Sequence, residues 1–486
     1  GCEALFGIEV TPNIPEAATI TNACIRLVIV SQQIINAVNS VGELSFSTFL
    51  LQTGATSFVT SVPQAYTALA TIAREVNTVT NANTGNLNNI FSVVLTNLKS
   101  FTSVTIDERF AKWLILQNSG STPDFSTIIL TLNDVTSFVE TTLQPSMLSF
   151  SSNRITQATF YNTVPKQAVS TIAQKLIELA AYHETVVLPY FSRLGSTFRW
   201  ASDKSSVFLS NTDSAFQSIE GSLSSTYERF NELNRSFRSE TNGMQSSILS
   251  SLQQFTRRIE EFTDLYVGGS SKDFANSANA LYNAYLSTIT EQTKVVENRV
   301  ESARNNLSDS VLISIGDALA LGFSALTNAL LSSIQLATNS ARLACIDQAF
   351  HKFLSDYGNA LRKFSECFSG NQCDVSTPVN GEITTVKDIQ KDVAQYISQL
   401  VSAVGGVSNS SSLSARMQLD MFLTAFFSES NNITPTIVQQ LVNMATELGV
   451  NYDLLIGRTR YCLAMNKAVA ERFSTSFSLA ISACLA

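Results

Sequence analysis

The chain is expected to be all-α: an elongated, disulfide-stapled helical bundle built around a long central antiparallel hairpin. Three observations predict this. Apolar residues recur at steps of three or four along a stretch from Tyr190 to Thr377 that contains no proline. Six of the seven cysteines fall into three pairs of identical spacing. The composition combines 44% apolar residues, 30 Phe and 12 Tyr with only 9 Pro in 486 residues, enough apolar material to bury a substantial core.

Three consecutive regions follow from the pattern. Residues 1–190 carry shorter helical segments punctuated by proline: Ala17 to Val41, Pro63 to Val79, Asp107 to Gln117, Phe125 to Leu143 and Pro165 to Pro189. Thr53 to Val62 and Ser126 to Ser137 are rich in β-branched residues, yet helix is the expectation for both. Residues 191–343 form the hairpin. One arm runs through Ile219, Leu223, Tyr227, Phe230, Phe237, Met244, Ile248, Leu252, Phe255 and Ile259, and the other through Phe274, Ala278, Leu281, Tyr285, Ile289, Val296, Val300 and Leu307. The turn is expected at 268–271, Gly268-Gly269-Ser270-Ser271, with a serine capping the second arm and Asp273 in its favourable first turn.

Residues 344–486 hold the remaining helices, with loops expected at Asp374 to Glu382 and Gly405 to Ser412. Helices are expected from Val386 to Ala403 and Ser414 to Phe427, and the last ones start after Thr434-Pro435 and near Asn451.

Cys2 and Cys24, Cys345 and Cys367, and Cys462 and Cys484 are each 22 positions apart. A zinc site wants ligands two to four residues apart, and with only His183 and His351 to add, structural disulfides in an oxidising compartment are the expectation. Along a helix, 22 steps separate two sulfurs by about 33 Å, so neither of the latter pairs can bridge itself. Two such helices packed antiparallel align Cys345 with Cys484 and Cys367 with Cys462. Gly7, Pro12 and Pro15 break the chain between Cys2 and Cys24 and let that pair close a local loop. Cys373 is left over, to pair between chains or to displace one of these partners.

Charged residues are only 14% of the chain, against about 25% in an average protein. The net charge of −8 and the pI near 5.0 supply no basic face for nucleic acid. Ala318 to Ala337 is apolar over nearly a membrane thickness but carries Ser324, Thr327, Asn328, Ser332, Ser333 and Gln335, so a buried bundle helix is expected and no membrane span. The start, Gly1-Cys2-Glu3, lacks Met and any apolar signal region, as a processed secretory protein would.

No nucleophile elbow, phosphate-binding loop or dinucleotide fingerprint occurs, and no cofactor, metal or catalytic residue is assigned. His183-Glu184 lacks the second histidine of a zinc protease helix, and His183 and His351 are expected to pack rather than act as bases. Glu260, Glu261 and Asp264 beside Arg257 and Arg258 read as solvated helix charge pairing. Four sequons, at Asn234, Asn306, Asn409 and Asn432, are glycosylation candidates, Asn409 being the best placed in its Ser-rich loop.

Cys345-x21-Cys367, Cys462-x21-Cys484 and the lead-in Arg458-Thr459-Arg460-Tyr461-Cys462 resemble the helical cysteine segments of the insect TsetseEP-type domain family of secreted proteins. The resemblance covers the last 150 residues or so, and it implies an insect extracellular protein with no enzymatic role. The expectation is a secreted, non-enzymatic structural glycoprotein that self-associates into an extracellular filament, coat or matrix. An extracellular carrier or defence protein holding an apolar ligand such as lipid within its bundle is the alternative.

Overall fold

A computed structural model describes residues 3–83, 86–103, 106–114, 116, 122–262, 271–336, 339–368 and 376–486. The fold is all-α and stapled by disulfides. Its helices are α1 (Pro15–Asn39), α2 (Phe49–Thr80), α3 (Leu87–Ser103), α4 (Ile106–Leu114), α5 (Ser126–Phe138), α6 (Gln144–Ser149), α7 (Gln157–Thr163), α8 (Lys166–Tyr182), α9 (Leu188–Glu260), α10 (Ser271–Gln335), α11 (Ser340–Arg362), α12 (Ser376–Gly405) and α13 (Leu413–Leu485). Both Thr- and Val-rich segments are helical, inside α2 and α5.

The contacts divide the chain into two compact units, each assembled from non-consecutive segments. The first comprises Gly1–Asn211, Gly322–Asp356 and Phe473–Ala486, and the second Thr212–Leu321 and Tyr357–Arg472.

In the first unit α1 packs on α2 and α8. Ile20, Ala23, Leu27, Val30, Ile34 and Val38 mark its buried stripe, at the three- and four-residue steps of an amphipathic helix. Phe58, Phe110, Trp113, Phe125 and Phe191 gather into an aromatic core, with ring centroids 5.3–6.4 Å apart among the contacting pairs. The α10 residues Ala325, Leu326, Ala329, Leu330 and Ile334 are buried in this unit.

The structure departs from the expected elements in several places, α3 among them. A small sheet, β1 (Glu3–Leu5), β2 (Ile8–Thr11) and β3 (Arg154–Thr156), pairs β1 with β2 antiparallel and β2 with β3 parallel. Its hairpin turns on Phe6 and Gly7, with φ of 53° and 88°; two positive φ angles in succession are what a tight turn between right-twisted strands demands.

Prolines 145 and 189 do not stop their helices. Each follows a π-helical turn, Val139–Leu143 and His183–Val187, in which the N–H of Gln144 or Leu188 reaches back five residues to Val139 O or His183 O. A proline removes one i→i−4 bond and its ring presses on the preceding turn, and widening that turn accommodates it. Pro63 and Pro435 lie inside α2 and α13, so α2 begins at Phe49 rather than at Pro63, and α13 is one helix where separate ones were expected. Around Pro63, burial of Phe58, Val62 and Tyr66 offsets the roughly 3 kcal/mol that an interior proline costs. The segment 376–382, expected as loop, opens α12, whereas 406–412 is a loop as expected.

The second unit is a four-helix arrangement of two hairpins. Its α9 and α10 segments are antiparallel, joined by the Arg238–Glu297 ion pair and by Arg304 lying 4.9 Å over the Tyr227 ring. The hairpin turn expected at 268–271 lies outside the described residues up to Ser271, where α10 starts. Helices α12 and α13 are antiparallel too: Tyr396 stacks on Phe426 at 4.5 Å, and its hydroxyl lies 3.0 Å from Ser430 Oγ.

Across the two hairpins, α10 runs parallel to α13, with Arg460 Nε donating to Ser310 Oγ at 2.8 Å and Lys467 paired to Asp317 at 2.8 Å. Likewise α9 runs parallel to α12, held by Lys387–Glu240 at 3.6 Å. Ile248, Leu252, Phe255 and Ile259, Phe274, Ala278 and Leu281, Val393, Ile397 and Leu400, and Leu419, Leu423 and Phe426 interdigitate as the core between the four helices.

Among the described residues each unit holds one disulfide. In the first, Cys345 on α11 is bonded to Cys484 near the end of α13, beside Phe353 stacked on Phe477 at 4.2 Å. In the second, Cys367, in the 3-10 helix Lys363–Phe368, is bonded to Cys462 of α13. These are the two pairings that the antiparallel alignment requires. Cys24, expected in a bond with Cys2, is instead a free thiol on the buried stripe of α1, and burial pushes its pKa up to about 12. Cys2 and Cys373 lie outside the described residues.

Candidate interaction face

The chemistry-bearing residue types are mostly used structurally. His183 is fully buried at the start of its π turn. Its Nδ1 lies 2.8 Å from the carbonyl of Leu179, which assigns the ring proton there and leaves Nε2 to accept from Tyr66 Oη at 3.1 Å. Burial lowers its pKa to about 4, partly offset by the Leu179 carbonyl, so the ring is neutral at pH 7 and shut away from solvent. His351 is exposed on α11, 3.5 Å from Asp347. Glu261 pairs with Arg258 at 3.3 Å on the exposed surface, while Asp264 lies outside the described residues.

Glu16 is buried and accepts from Tyr161 Oη at 2.6 Å and Ser170 Oγ at 3.0 Å, tying α1 to α7 and α8. Among the described residues, no three His, Cys, Asp or Glu side chains converge as a metal site.

Two carboxyls sit inside the second unit. Glu382 of α12 is only 6% exposed, and burial together with the charge of Glu447 raises its pKa to about 7. Asp420 of α13 is buried, its pKa raised by burial, with Oδ1 unpartnered among the described residues.

Of the sequons, Asn409 is exposed in loop 406–412, where its Nδ2 donates to Glu261 O at 2.8 Å. Asn306 and Asn432 are exposed within α10 and α13, and Asn234 is half-buried within α9 with its Oδ1 enclosed. The sequence thus places one candidate in a loop and three on helices.

One feature with binding geometry lies on α13. Tyr452, Ile456, Thr459, Leu463 and Ala470 face the core of the second unit. Opposite them, Val450, Leu454, Tyr461 and Met465 are 53, 56, 69 and 51% exposed, so this helix is apolar on both sides. The outward residues line a groove of about 730 Å³ with Asp453, Gly457, Arg458, Cys462 and Asn466.

The disulfide holds the face in place. Cys462 is one of its lining residues, and Asn466 donates to Lys363 O at 2.9 Å and approaches Cys367 Sγ at 3.2 Å. Arg460 and Lys467, bonded to α10, lock the other flank. Such an exposed apolar surface is suited to association.

The periodicity that traces the core seam through this segment hides the face. A second series of apolar and small residues at steps of three and four, out of phase with the first, was the signal available. No protein-family model matches the chain, and no curated protein matches it.

Proposed function

We propose that the protein is a secreted, non-enzymatic structural protein that self-associates into an extracellular fibre, coat or matrix. The observation that carries this reading is the outward apolar face of α13, which a chain acting alone would leave exposed to water. The low charge supports it, because copies repel one another weakly. The two disulfides are compatible with an extracellular setting, and the cysteine spacing that resembles the insect secreted family points the same way. Sedimentation velocity over a hundredfold concentration range, with and without reductant, tests it: concentration-dependent oligomers are expected, and a monomer throughout would overturn it.

A second reading, an extracellular carrier of an apolar ligand such as lipid, has the 730 Å³ groove in its favour. Organic extraction of the native protein followed by mass spectrometry separates the two, since a carrier releases lipid in stoichiometric amount and a fibre subunit releases none.

A further inference from the structure

The outward face of α13 has more order than an apolar patch needs. Val450, Leu454, Gly457, Tyr461, Ala464 and Ala468 follow one another at steps of four, three, four, three and four, and all are on the solvent side of the helix. This is the alternation of the two seam positions of a coiled-coil heptad, displayed where no helix of this chain covers it among the described residues. Gly457 opens the middle of the seam: a Cβ built there meets nothing within 4 Å. With Ala464 and Ala468 it lets a second backbone come close, while Val450, Leu454 and Tyr461 supply the area to bury.

The charges on the two flanks choose the occupant and its direction. Asp453 directly precedes the seam residue Leu454, and Arg458 directly follows the seam residue Gly457. They therefore lie on opposite edges of the stripe, five residues apart. Both are exposed, and neither has an ion partner among the described residues.

In a parallel, in-register pair of helices, the residue on one edge of a seam faces the residue five positions later on the opposite edge of the partner. A second copy packed this way brings Asp453 of each chain against Arg458 of the other, twice by symmetry. An antiparallel pair sets like edges together and places the two Arg458 side chains beside one another near the axis. That arrangement is penalised by repulsion.

We infer that two copies of the chain associate through residues 450–468 of α13, parallel and in register about a twofold axis along the helix. The exposed seam and the complementary Asp453 and Arg458 edges support this together. The inference rests on the self-association proposed above and names its first contact. Both flanks of the segment are braced by the Cys367–Cys462 bond and the Arg460 and Lys467 contacts to α10, so the seam is presented preformed. Leu312 and Ile313 of α10, 67 and 63% exposed, lie at the height of Arg460 along the helix pair, and add exposed apolar surface at that level.

The test uses the full chain. In a parallel dimer Val450 meets its own symmetry mate, so Val450→Cys cross-links to a covalent dimer under mild oxidation, above the background that wild type gives with the same oxidant. In an antiparallel dimer centred on Gly457 and Arg458 the two positions are about 22 Å apart and no such bond forms. Asp453→Arg alone should weaken association about tenfold or more in sedimentation equilibrium, and Asp453→Arg with Arg458→Asp should restore it to within about threefold. Circular dichroism confirms that each surface variant folds. Oligomers that form without the Val450→Cys cross-link, or that ignore the charge reversal, overturn this geometry and leave self-association standing. A wild-type protein that stays monomeric overturns both.

Discussion

Removing the Cys345–Cys484 bond measures how the two staples share the work of holding the chain. Alone, this bond closes a loop of sequence separation 139, and the Cys367–Cys462 bond one of 95. In the chain-entropy model these are worth about 5.0 and 4.7 kcal/mol respectively. The bonds are nested, however. With Cys367 and Cys462 already joined, the outer bond closes only the two segments of 22 positions on either side. A loop of about 44 residues is worth about 4.0 kcal/mol.

Cys345→Ser with Cys484→Ser should therefore cost about 4 kcal/mol in the otherwise intact protein and about 5 kcal/mol when the inner pair is also serine. Urea unfolding followed by far-UV circular dichroism gives the totals. Hydrogen exchange read by mass spectrometry should show the first loss of protection in peptides from 340–356 and 473–485. A loss below about 1 kcal/mol would refute the reasoning, because the unfolded chain would then retain enough structure to make the cross-link nearly redundant.

The buried titratable groups predict opposite pH responses. His183, neutral and buried with its pKa lowered to about 4, contributes stability that is full above the unfolded value near 6.5 and lost as pH falls through 4. The shift corresponds to about 3 kcal/mol, and His183→Gln should flatten acid destabilisation between pH 6.5 and 4 as followed by exchange in the first unit. An unchanged acid limb would count against it. Glu382 has the reverse sign: its pKa is raised to about 7, so the stability tied to its protonated form is present below about 4.5 and is lost as pH rises through 7. Glu382→Gln should raise the urea midpoint at pH 8 and leave it nearly unchanged at pH 4, and equal effects at both would refute the assignment.

Much of this fold was legible from periodicity and spacing, and the exceptions are instructive. Phe255, Ile259, Phe274 and Ala278 fall at helical steps and are core, and the cysteine spacing of 22 led through the helical rise to the two bonds present. The hairpin at Phe6-Gly7 was invisible because a bulky aromatic is not the residue expected at positive φ. Pro63 and Pro435 read as helix starts, and Pro145 and Pro189 as helix ends, because local sequence carries the lost hydrogen bond. It does not carry the burial around Pro63, or the π turns before Pro145 and Pro189, that absorb the loss.

Cys24 illustrates the same limit, since its spacing from Cys2 matches the other pairs while its position on α1 turns it into the core. Of the candidate site, the individual residues were in view but their direction was not. Met465 falls at a helical step from Cys462 and looks like part of the core seam until the helix phase is fixed by Leu463 and Ala470, which are buried.

The discontinuous makeup of the first unit constrains the order in which the polypeptide can mature. Its strip Phe473–Ala486 is synthesised after every residue of the second unit. The first unit therefore cannot complete its packing, nor Cys345 meet its partner thiol, until every residue of the second has been made. Until then α11 keeps the uncovered flank that Phe477 will occupy. Deleting Phe473–Ala486 would uncover Phe350 and Phe353 and strand the Cys345 thiol, so a change in one segment is felt in another made well before it.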